Sequence, residues 1–255
     1  MSVEQKASEL PWADDATNFI GCNYGYGNLA IYLPKALEID GRLHAETYVA
    51  ACGAVAGFAA QQTLLVQRPK FRIDDLREDS LVDGLFLFRG PRGDRFIFGD
   101  PLKHMIFLKE GPATAISAKL WEWASGGAIA AGLSSSEMPD PGAMWRYVTK
   151  AIKDGSDGTP SVPREHHPHL SPIQCLERLW PLARKCLSGR VGDGALAPPE
   201  FVVVEPRWWT TITAMVTNGA IVKVKSVLAP RIALTLAMES AMFALKTDPT
   251  TIEKL

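Results

Sequence analysis

Between Tyr48 and Ala60 the chain carries no charged residue, and the run is bracketed by Glu46 on one side and Gln61-Gln62 on the other. A bilayer span needs roughly 20 apolar residues, so a run of this length reads as a buried core helix. Asp40 is placed to cap a helix over residues 42–66. Within it Ala50, Gly53, Ala54 and Gly57 recur at i, i+3, i+4 and i+7, which puts four small side chains on one stripe. Such a stripe lets another element approach closely. The other faces are apolar too, so this helix is expected at the centre of the domain.

The rest of the chain arranges itself around that helix. Gly21-Cys22-Asn23-Tyr24-Gly25-Tyr26-Gly27-Asn28 reads as a loop, with a short helix after it that contains Pro34. Leu81 to Phe88 and Arg95 to Phe98 flank a turn-rich hexapeptide and predict a β-hairpin, with a third strand at residues 104–108. A helical period covers 113–133. Asp140-Pro141 and Ser171-Pro172 each pair an N-cap with a proline at the first helical position, opening further helices. Between those two helices lies a segment over 154–171, rich in Gly, Pro and Ser, which is long for a compact domain. Phe201 to Val204 reads as a strand. The β-branched runs 210–217 and 220–227 meet at Asn218-Gly219, the pair that a two-residue hairpin turn favours. A last helix runs over 230–245.

The expected architecture is a single α+β domain over residues 1–255 with a helix-rich N-terminal half. Its antiparallel sheet, from residues near 81–108 and 200–228, is covered by helices. Lys plus Arg number 27 and Asp plus Glu 28, with no clustered basic stripe, so nucleic acid is not an expected partner. Residues 1–6 lack the basic-then-apolar order of a secretory leader, and the four cysteines show no C-x-x-C spacing. A cytoplasmic address with buried free thiols and no membrane association is the reading.

Several clusters carry groups capable of chemistry. His44-Ala45-Glu46 resembles the His-x-Glu element of zinc-dependent nucleoside and base deaminases, in which the His binds zinc and the Glu moves protons. The Pro-Cys-x-x-Cys half of that signature is absent. His166, His167 and His169 crowd the long segment as metal-ligating candidates, but Pro168 stiffens it and side chains so near in sequence converge poorly on one ion. Cys22, ahead of a helix, could act as a thiol nucleophile with His104 as its base. Gly25-x-Gly27 lacks the pattern of a phosphate-binding loop. Seven tryptophans are many for 255 residues, and Trp121, Trp208 and Trp209 are candidates for an apolar pocket or a partner surface.

With no motif that fixes a reaction, the expected function is a non-catalytic binding or interaction protein. It is expected to need no cofactor and to take a protein partner or self-associate. The alternatives are a thiol hydrolase using Cys22 and His104, and a metal-dependent, deaminase-like hydrolase using His44 and Glu46.

Overall fold

The computed structural model describes residues 10–68, 72–78, 80–107, 119–156, 158–191, 195–196 and 202–252. The central helix is as expected in place and role. It is α2, Ala45–Val66, and it is buried without interruption from Thr47 to Gln61. By length and composition it could cross a membrane, but 83% of its most apolar window is buried against the protein itself. Its start lies a few residues later than the sequence suggests. His44 caps it by accepting from Thr47 N, while Asp40 sits in a tight turn with φ 51°.

Around α2 pack α1 (Phe19–Leu37), α3 (Asp100–Ile106), α6 (Pro172–Ser188), α7 (Trp209–Lys223) and α8 (Pro230–Lys246), with α8 forming the largest contact. The small-residue stripe decides that contact. A Cβ built on Gly53 would collide with the carbonyl oxygen of Ala237, and one on Gly57 with that of Ala241. The two backbones touch where side chains are absent. On the outer side α4 (Leu120–Ala130) packs on α7 and α8, α5 (Pro141–Lys153) packs on α8, and the short α9 (Pro249–Ile252) touches α6.

The chain is a helix-rich α+β fold. Strands β1 (Phe86–Arg89) and β2 (Arg95–Phe98) form the expected antiparallel hairpin, in register from Phe86↔Phe98 to Arg89↔Arg95. Its turn is closed by Gly90 N donating to Asp94 O at 2.7 Å, and Gly93 takes φ 87°. Past α8, Asp248 N donates to Arg95 O at 3.0 Å, which ties the hairpin to the end of that helix. A two-residue pair, β3 (Arg190–Val191) with β4 (Ala195–Leu196), completes the strands among the described residues. One buried cluster runs from Trp12 to Ile252 and takes in residues from α1 through α9.

Four local expectations are corrected. Residues 210–217 and 220–227 are not strands: Asn218-Gly219 lies inside α7, which continues to Lys223. Eight β-branched residues in α7 each lose up to about 0.7 kcal/mol of helix propensity relative to Ala. Fully burying Ile212, Val216 and Ile221 returns roughly 1.5–3 kcal/mol apiece, which is as large as that loss or larger. Thr213 and Thr217 also donate their hydroxyls to carbonyls one turn back, so burial leaves no side-chain donor unmet. Asn218 earns its place by donating Nδ2 to Trp123 O at 2.8 Å, next to Gly127 of α4, where the helices nearly touch.

The Gly21–Asn28 segment is likewise helical, within α1. Gly21 and Gly25 face the chain at Val203 and Val204, and a Cβ at either would press into it. These glycines serve close approach, not turning. Third, His104 and its neighbours form α3, opened by Asp100-Pro101, in place of a third strand; Leu108 lies outside the described residues. Fourth, residues 202–205 have no regular structure, and Phe201 also lies outside the described residues. For the helical period at 113–133 the observed helix is α4, with residues 113–118 outside the described ones. Both proline-opened helices are confirmed. Asp140 accepts from Gly142 N, and Ser171 with Gln174 forms a reciprocal cap.

Candidate functional site

The long segment after α5 does not wander from the fold. Residues 158–170 lie against two helices and are fastened at two separate places. At the first, Ser161 donates its N–H to Glu239 Oε2 at 2.7 Å and its hydroxyl to Glu239 Oε1 at 2.5 Å. At the second, the turn Arg164–His166 and the residues after it meet the head of α2.

The first fastening makes a cleft of about 550 Å³. One wall is α5 with its N-cap, which together present Asp140, Ala143, Met144 and Tyr147 at i, i+3, i+4 and i+7. The other is α8, with Ile232, Thr235 and Glu239, and the segment Ser161–Pro163 closes the side. Glu239 is 4% exposed. Burial holds its carboxyl above the usual carboxylate range, against the pull of the two hydrogen bonds from Ser161. Tyr147 donates its hydroxyl to Thr159 O at 3.1 Å, and its phenol is pushed up by partial burial and then by the Glu239 charge. Arg231 stands at the mouth.

The second fastening brings together two clusters that are some 120 residues apart in sequence. His166 Nδ1 lies 3.1 Å from Glu46 Oε1, and His44 Nε2 lies 3.5 Å from Glu46 Oε2. The His44 and His169 rings stack at 3.7 Å between centroids, 24° from parallel. Thr47 completes the junction: its hydroxyl accepts from His169 N at 2.9 Å and lies 2.9 Å from His44 Nδ1. Because Thr47 N also donates to His44 Nδ1, that nitrogen is the unprotonated one, which leaves Nε2–H for Glu46. Burial and then the neighbouring His169 push the His44 imidazole below its usual value, while Glu46 pulls it back. The Glu46 carboxyl is held low: desolvation raises it, but the His166 hydrogen bond and the two neighbouring imidazoles outweigh that. His167 turns away to the carbonyl of Val162, 3.1 Å from its Nε2. Among the described residues no group of three or more His, Cys, Asp or Glu side chains is disposed to hold a metal ion.

The remaining candidates are dispersed. Cys22 is fully buried in α1 and its thiol is pushed up to about 12, chiefly by desolvation. The charges acting on it are Asp15, Arg207 and Glu205, a network that ties residues 15–18 to the turn before α7; His104 is not among them and lies exposed on α3. Trp208 donates its indole N–H to Asp15 and Trp209 donates to Val204 O, and both rings pack edge-on against other tryptophans. Trp121 is half-buried against Phe107. None of these lines the cleft.

Glu239 is absent from the sequence candidates, although a signal for it exists. It is the one acid in the helix Pro230–Lys246, on a stretch otherwise apolar enough to be core. No protein-family model, curated protein or solved structure matches this chain.

Proposed function

We propose that this chain is a non-catalytic binding protein whose small-molecule ligand occupies the cleft between α5 and α8. The observation that carries this reading is the cleft itself. Its volume falls in the range of roughly 300–1,000 Å³ that holds small ligands, and apolar walls surround a few convergent polar groups. The thiol and imidazole candidates lie outside the cleft. The Cys22 thiol is buried and held in its neutral form, and the His44, His166 and His169 imidazoles are engaged at the junction with the head of α2.

The test is a fragment library screened by ligand-observed NMR against the wild-type protein and Ala143→Trp. Ala143 is exposed in the cleft wall, so the larger ring fills the site without entering the core. Hits lost in the variant support the reading. No hits, or hits that bind both proteins equally, overturn it.

A second reading, self-association, is favoured by α1. Ile20, Tyr24 and Ile31 are 62%, 48% and 50% exposed and share one face at i, i+4 and i+11. In the same stripe, a Cβ on Gly27 would meet nothing within 4 Å. The partner would be a second copy, with α1 laid against α1 and the open glycine admitting close approach, as Gly57 admits α8. Light scattering showing a dimer in the wild type and a monomer in Ile20→Glu/Ile31→Glu supports this reading; a wild-type monomer at high concentration removes it.

A further inference from the structure

The polar side chains on the floor of the cleft have spent their donors, which leaves Arg231 at the mouth as the donor side chain of the lining. Ser161 gives both its N–H and its hydroxyl to Glu239, Tyr147 gives its hydroxyl to Thr159 O, and Thr235 gives its hydroxyl to Arg231 O at 2.9 Å. What these groups still offer a ligand is lone pairs: the second acceptor positions of both Glu239 oxygens, the Tyr147 oxygen and the Thr235 oxygen. At the rim, Asp140 adds another carboxylate, already accepting from Gly142 N and paired with Arg146 at 3.4 Å. The floor of the cleft is therefore rich in acceptors and poor in donors.

Its charge balance points the same way. Glu239 is a buried carboxylate on which no cationic side chain acts among the described residues; its partners are the neutral donors of Ser161. The titratable and charged groups around it are Tyr147 and Asp140 on α5, and Arg231 on α8. Arg231 is eight residues away on the same helix, a rise of about 12 Å along the axis, and it is not among the groups that act on the Glu239 carboxyl. A buried carboxylate is costly unless a cation meets it or it takes up a proton, and a cationic ligand relieves the cost while keeping the charge.

We propose that the cleft recognises an amine: the ligand's ammonium head sits on Glu239, Tyr147 and Thr235, and its apolar body lies along Met144, Val162 and Ile232. This rests on the cleft being the binding site. The geometry suits the class, because an ammonium carries three donors and no acceptor, matching a floor that offers acceptors only. Anions are disfavoured by the carboxylate, and a neutral hydroxyl supplies one donor where three are wanted. Since burial keeps the Glu239 carboxyl above the ordinary range, amine affinity rises with pH as that carboxyl ionises, until the amine itself loses its proton.

The experiment compares 2-phenylethylamine, 2-phenylethanol and phenylacetate by calorimetry and ligand-observed NMR, on the wild type, Glu239→Gln, Ser161→Ala and Ala143→Trp. The amine is expected to bind at least about tenfold tighter than the alcohol, and phenylacetate weakest. Glu239→Gln is expected to erase that preference. Ser161→Ala, which keeps the carboxylate and loses only a fastening, is expected to retain it; this separates recognition from damage to the wall. If the alcohol or the acid matches the amine, or if Glu239→Gln keeps the preference, the ligand class is wrong. The cleft reading survives that result as long as Ala143→Trp still blocks whichever probe binds. If none of the three binds while the fragment screen finds cleft ligands without amines, the class again falls alone. If neither set yields a ligand sensitive to Ala143→Trp, both fall together.

Discussion

Gly57 of α2 and Ala241 of α8 are in backbone contact: a Cβ added to Gly57 would overlap the Ala241 carbonyl oxygen. The same relation holds one turn earlier for Gly53 and Ala237, so the largest helix–helix contact of the core is made over small residues. Everything that positions the cleft depends on this contact, because α8 carries Glu239 on its other side.

Gly57→Ala therefore opposes two effects. Helix propensity favours Ala by about 1 kcal/mol, while forcing two packed helices apart costs roughly 1–3 kcal/mol or more. The collision is with backbone, which cannot swing aside, so the variant is expected to be destabilised. Gly27→Ala on the open face of α1 meets nothing and is expected to stabilise by about 0.5–1 kcal/mol. Urea unfolding of the two variants should give opposite signs; equal signs would refute the contact.

Lys246 is completely buried, and its Nζ lies 2.9 Å from the centre of the Trp145 ring with no hydrogen-bond partner among the described residues. Burial pushes its amine well below the usual value. Lys246→Met keeps the chain length and removes the stranded polar group, so it is expected to stabilise by on the order of 1–3 kcal/mol at pH 7. The unfolded chain binds the proton that the folded state resists, so wild-type stability rises with pH up to about 10.4. The advantage of Met should accordingly shrink between pH 7 and pH 10. A constant difference would show that the amine is not desolvated.

The junction of His44, Glu46, His166 and His169 should loosen in acid. Protonating His44 turns Nδ1 into a donor, which breaks its acceptance from Thr47 N and places a cation on the stacked His169 ring. Its folded value is depressed, so this contribution is whole above about 6.5 and is lost as pH falls through the lower folded value. Glu46, also depressed, gives way only below its ordinary 4.5. Once the intrinsic slowing of amide exchange in acid is divided out, protection of residues 158–170 should fall from pH 7.5 to pH 5.5 in the wild type. His44→Asn, which can still cap α2 but does not titrate, should flatten that change.

All four cysteines are buried and free, and desolvation pushes each thiol up to about 12. Native protein at pH 7.5 is expected to resist a mild disulfide reagent until it is unfolded, and then to release four thiols together. Fast labelling of Cys22 alone in the native state would revive the thiol nucleophile.

Features written in a few adjacent residues were legible without the fold. The smooth stripe of α2, the caps at Asp140-Pro141 and Ser171-Pro172, and the hairpin around Gly90–Asp94 each depend on short-range geometry, and each is present. By itself the chain determined its central helix and the residue types on that helix's contact face.

Tertiary structure decided the rest. Local preference marked Thr210–Thr217 as strand and Gly21–Asn28 as loop, yet burial against several neighbours outweighs propensities worth a fraction of a kilocalorie per residue, and both are helix. The cleft and the histidine junction arise from residues 78 and about 120 positions apart, such as Ser161 with Glu239 and Glu46 with His166. No local pattern encodes such a meeting. It exists only once the core has fixed where α2, α5 and α8 lie.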